Sequence, residues 1–213
     1  MPQSSRFKDS RLEISHWHDL MRAFGMCENN ETYEALILAY CEKHRAYHTL
    51  DHIVACFRHL DNVVGQAEYP HEIELALWFH DAIYKPFSGS NEEDSAELAR
   101  SFLVKNNVTS EAIARICELI IMTKEHVAPS TIDGKLMLDI DLSILGADEH
   151  IYAQFEKDVR KEYKRVPSFI FKKKRKAVLQ SFLNRSKLYQ TEYFSVRLEA
   201  QAKTNLAWAI GEL

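Results

Sequence analysis

The chain has 213 residues, 46% of them apolar, which is enough for one hydrophobic core and makes a single domain the default. A formal net charge of −4 excludes a molecule built as a whole to bind nucleic acid, and six glycines and five prolines are too few for an all-β protein full of tight turns. With no apolar run of about 18 residues and no charged-then-apolar leader pattern, a soluble cytoplasmic protein without a membrane partner is expected. The four cysteines (Cys27, Cys41, Cys56 and Cys117) form no C-x-x-C pair, so inert or buried thiols in a reducing compartment are expected.

In chain order the apolar periodicity is helical almost throughout. Leu36, Ala39 and Tyr40 share one face of the first clear segment. Ile53, Phe57, Leu60 and Val64 follow at helical spacing. After Pro70, a helix-start residue, Ile73, Leu77 and His80 form another stripe, and a break follows at "KPFSGSN". "SNEE" at 90–93 has the form of a capping box, and Ala96, Ala99 and Leu103 carry its helix on. Ile113, Ile116, Ile120 and Thr123 give the next stripe, and "PSTIDG" reads as a turn. "KLMLDIDLSIL" runs to Gly146, a C-cap candidate. Ile151, Phe155 and Val159, then Val178 and Phe182, then a run from Phe194 to Trp208 complete nine or ten helices. The class is all-α, a single-domain helical bundle.

Three polar groups interrupt these apolar stripes. In "RAYHTLDHI" (45–53), His48 and His52 are four apart and share a helix face, so one can ligate a metal while the other binds substrate; the plain alternative is two surface histidines at a helix start. In "WFHDAIY" (78–84), His80 and Asp81 are neighbours that reach one ion only at a helix end, where the following break puts them. In "LMLDIDLSILG" (136–146), Asp141 has Met137, Leu138, Ile144 and Leu145 as its helical neighbours, so its carboxylate needs a cation or donors. Asp139 has Lys135 and Ser143 instead, which makes Asp141 the preferred ligand. Two imidazoles and two carboxylates suit a divalent ion such as Mn, Fe, Co, Ni or Zn, and Mg less well. An ion so held acidifies bound water and neutralises a phosphoryl oxygen.

At these residues the sequence resembles the HD superfamily of metal-dependent phosphohydrolases, and more narrowly its bacterial predicted-phosphohydrolase group. The H…HD…D pattern falls on His52, His80, Asp81 and Asp141, and the matching phrases are "RAYHTLDHI", "WFHDAIY", "NEEDSA", "MTKEH", "LDIDLSILG" and "VRKEYKRV", with "VLQSFLNRSKLYQT" beyond them. The resemblance implies an HD-type helical domain over 1–213, with the metal-site core at about 45–166 and C-terminal helices at 168–213 packed on it. It implies hydrolysis of a phosphate ester or anhydride of a small phosphorylated molecule such as a nucleotide. In that superfamily the first histidine ligand begins an amphipathic helix, as His52 does, which leaves His48 as a neighbour that touches phosphate.

Supporting candidates lie around these phrases. Lys124 and His126 in "MTKEH" are cations suited to phosphate or to the leaving oxygen, or simply to a helix C-terminus. Glu92 and Glu93 follow the His-Asp loop, where one of them orients the attacking water or closes the capping box. From Arg160 to Lys187 there are eleven Lys or Arg and one acid, Glu162, with "KKKRK" at 172–176 the densest part. This segment either steers an anionic substrate or is a solvated helix face. Arg160, Arg175 and Arg185 are its best phosphate candidates. The leading expectation is a metal-dependent phosphohydrolase. A regulatory protein that binds a nucleotide or partner without turnover is the second reading, and a di-iron oxygenase is a weaker third.

Overall fold

The computed structural model describes residues 9–125 and 129–213. They form ten α-helices and no strand: α1 Ile14–Ala23, α2 Asn30–Tyr40, α3 Leu50–Val63, α4 Pro70–Phe79, α5 Asn91–Lys105, α6 Ser110–Met122, α7 Ile132–Asp141, α8 Glu149–Glu162, α9 Ser168–Leu183 and α10 Glu192–Glu212. One apolar cluster runs from Leu12 to Ala209. Helix α1 lies ahead of the first segment read from the pattern.

Helix α4 is the axis. Pro70 occupies its first turn, where a missing N–H costs nothing. Every residue from Glu72 to His80 is buried, because α1, α3, α5, α6 and α7 pack around a run whose apolar residues, Ile73 and Leu75 to Phe79, cover most of its surface. Trp78 meets Trp17 edge-on at 5.5 Å and Phe57 at 5.2 Å. Its two buried acids are matched: Glu72 receives both arms of Arg115 (2.6 and 2.7 Å), and Glu74 takes His16 at 2.6 Å.

Three local expectations change. The capping box does not form: Ser90 makes no capping bond, and Asn91 instead holds Lys85 through its backbone N–H and C=O, both at 3.0 Å. "PSTIDG" is not a turn throughout, because Thr131 caps Gly134 N (3.1 Å) and starts α7 at Ile132. Gly146 is not a left-handed cap. It ends the 3-10 turn Leu142–Gly146, where an added Cβ would lie 2.6 Å from Leu198 Cβ, so glycine serves the close approach of α10. Of the thiols, Cys56 and Cys117 are buried but Cys27 and Cys41 are exposed. No helix of the described residues is long and apolar enough to cross a membrane.

Candidate metal centre

Three elements bring the polar groups together. His52 stands in the first turn of α3, which begins after the extended Thr49. His80 caps the C-terminus of α4, and Asp81 follows it in the break. Asp141 ends α7. The Nε2 atoms of His52 and His80 are 3.2 Å apart. Asp81 Oδ2 lies 3.2 Å from His80 Nε2 and 3.7 Å from His52 Nε2. Asp141 Oδ1 lies 3.4 Å from His52 Nε2 and 3.6 Å from His80 Nε2. The ligand atoms of His52, His80 and Asp81 all fall within 4.8 Å of one another, a spacing that can hold a metal ion. Both imidazoles are nearly inaccessible, whereas the carboxylates keep 17% and 16% side-chain exposure, so the acids mark the open side.

The surroundings aim these groups. His80 Nδ1 meets Leu77 O at 2.9 Å and must carry the proton, which leaves Nε2 for the cluster. His52 Nδ1 has a softer neighbour, Cys56 Sγ at 3.8 Å, one turn along α3. Buried Arg45 donates to Asp81 O (2.7 Å) and Ala82 O (3.1 Å), and so fixes the backbone that carries Asp81. Ser95 accepts from Ile83 N at 3.1 Å and pins the next residues.

The electrostatics favour a bound cation. Burial alone would lower the His80 pKa, but Asp81 and Asp141 outweigh it and hold the ring well above the usual histidine range. Burial would raise Asp81, yet His80, His48 and His52 pull it well below the carboxylate range. The negative field that keeps a proton on His80 is the field in which a divalent ion would replace that proton. Two imidazole nitrogens and two carboxylates therefore fit a borderline divalent cation.

The remaining candidates fall in different places. His48 is outside the ligand group, with its ring 6.1 Å from that of His52 and its Nδ1 2.8 Å from Glu162 Oε2. Asp139 points the other way and accepts from Gln190 N, Thr191 N and Thr191 Oγ1 at 2.7–2.8 Å. Lys124 Nζ is shared between Glu93 and Gly89 O (2.6 Å), so the expected cation and the expected acid are paired with each other. Glu92 is half-buried in the first turn of α5, and no described hydrogen bond or ion pair brings it to the cluster. His126 lies outside the described residues. Arg160 closes the end of α8 through Tyr163 O and Val166 O, and Arg175 forks onto Glu156; both serve structure. Arg185 donates to Glu125 O at 3.3 Å, beside the segment that leads to His126.

Arg45, Tyr84 and Glu162 were not picked out from the sequence. Glu162 did carry a signal, as the lone acid among eleven cations. No protein-family model, curated protein or solved structure matches the chain.

Proposed function

We propose that the chain is a metal-dependent phosphohydrolase of the HD type, acting on a small phosphorylated molecule such as a nucleotide. One observation carries the reading: two buried imidazole Nε2 atoms, 3.2 Å apart, converge with Asp81 and Asp141 on a point that the carboxylates leave open to solvent. His52, His80, Asp81 and Asp141 would hold the ion. When bound, a divalent ion would supply Lewis acidity toward a phosphoryl oxygen and would lower the pKa of water, so that it gives up a proton and hydroxide becomes available as the nucleophile.

The chain's own residues do the rest. Leu77 O fixes the His80 ring, and Arg45 fixes the Asp81 backbone, so the donors are preorganised. Tyr47 packs against the His52 ring with centroids 4.9 Å apart. His48 stands one ring away, where a substrate oxygen would lie. A set that leaves room for water and substrate favours turnover over binding alone.

Phosphate release from a panel of nucleotides and simple phosphate esters, with and without Mn, tests this. Release from at least one of them that needs the metal and is lost in D81A is expected. Specific nucleotide binding without metal-dependent release from any of them would replace the enzyme with a regulatory protein. Two irons per chain would point to the oxygenase.

A further inference from the structure

Glu162 ends α8, and its side chain is wholly out of solvent. Its carboxylate collects five donors. Oε1 accepts the backbone N–H groups of Ala46, Tyr47 and His48 at 2.8, 2.9 and 3.0 Å. Oε2 accepts the Tyr84 hydroxyl at 2.7 Å and faces His48 Nδ1 at 2.8 Å. The three backbone bonds suffice to tie the 45–48 loop to α8. The other two act on one ring, since Tyr84 also stacks on His48 with centroids 4.2 Å apart.

An ionised carboxylate only accepts, so His48 Nδ1 carries the proton. Tyr84 covers one face of the ring and Tyr47 meets it edge-on at 4.9 Å. His48 nevertheless keeps 23% side-chain exposure, where Glu162 has none. Glu162 occupies the Nδ1 side, which leaves the Nε2 edge as the one that can meet a ligand. The His48 ring lies 6.1 Å from the ring of His52, which sets it beside the cluster.

We propose that Glu162 is the positioning residue of the site: it holds His48 with Nδ1 inward and presents the Nε2 edge to an oxygen of phosphate bound at the His52–His80–Asp81 group. This rests on the phosphate reading above. A carboxylate that fixes the tautomer and orientation of a working imidazole is a recurrent device. Here it also explains why one acid sits in an otherwise basic segment.

Two measurements on the full chain test it. In the metal-free protein, long-range 1H–15N correlation should show His48 protonated at Nδ1, and E162Q should lose that signature. In Mn-loaded protein, calorimetry with inorganic phosphate should show E162Q binding phosphate roughly tenfold more weakly, with Mn affinity held within about twofold. H48Q keeps the backbone bonds of Glu162, so it reports even where E162Q does not fold; it should lose phosphate affinity equally, and the double variant should lose no more. An unchanged His48 signature in E162Q, unchanged phosphate affinity in H48Q, or equal losses of Mn and phosphate in E162Q would each overturn the proposal. A wild type that binds no Mn overturns the metal reading and the phosphate contact with it, and the metal-free spectrum still judges the hold of Glu162 on His48.

Discussion

Asp139 and Asp141 stand two residues apart on α7 and have opposite surroundings. Asp139 is fully buried and meets three donors at the start of α10; burial pushes its carboxyl up while Gln190 and Thr191 pull it down. Asp141 keeps an opening to solvent and faces two imidazoles. Donors fixed by the fold complete the first site, so it needs nothing from outside. The second balances its charge with protons or with a cation, so it can exchange one for the other. These aspartates thus sort by their partners. Asp133, which accepts Glu68 N (2.7 Å) and Tyr69 N (2.8 Å), sides with Asp139, whereas Asp81 sides with Asp141.

The sharpest break of this comparison is D139A. It strands three donors that anchor α10, and should cost about 4 kcal/mol in urea unfolding, while Mn affinity of the folded protein stays unchanged. Next is acid. Burial opposes ionisation of Glu162, but His48, the Ala46 N–H and the Tyr84 hydroxyl hold its pKa down at about 2 from 4.5. A carboxyl depressed in the fold stabilises it fully above the ordinary value and loses that contribution as pH falls toward the folded value. About 3 kcal/mol should therefore disappear between roughly pH 4.5 and 2. E162Q should flatten that part of the stability curve. D141N comes third: Mn affinity by calorimetry should fall about 100-fold, at least the scale set by outer-shell partners, with metal-free stability changed by about 1 kcal/mol or less.

Much of this arrangement was legible in the residues. The helical stripes name the core face of most helices, but the apolar neighbours of Asp141 mark it as the more buried acid, whereas Asp139 is the one fully buried and Asp141 keeps an opening to solvent. His80 and Asp81 were placed at a helix end because "KPFSGSN" cannot continue a helix, and α4 does stop there. What stayed hidden depends on contacts far apart in sequence. Glu162 meets His48 across 114 positions, and Asp139 meets Thr191 across 52. No local period reports such pairs, so an acid that anchors a distant backbone reads like any surface acid. Capping errors have the same origin. Ser90 has the right neighbours for a box, but Asn91 uses its side chain on Lys85, and Glu93 is drawn to Lys124.

That last pair yields the smallest expected effect and the most direct check on the candidates taken from sequence alone. Lys124 was expected to face phosphate, but it bridges Glu93 and Gly89 O on the surface. An ion pair of this kind is screened by salt and contributes little. If the working charges are those around His52 and His80, K124A should change metal-dependent phosphate release by no more than about threefold, and E93Q should match it. A loss as large as that of D81A would instead mean that Lys124 leaves Glu93 when substrate binds. The comparison would then need redrawing, with the surface pair as a reserve of charge for the site. Steady-state rates of K124A, E93Q and the double variant decide between the two. A paired lysine predicts near-equal small effects, whereas a recruited one predicts that removing Glu93 speeds the reaction by freeing it.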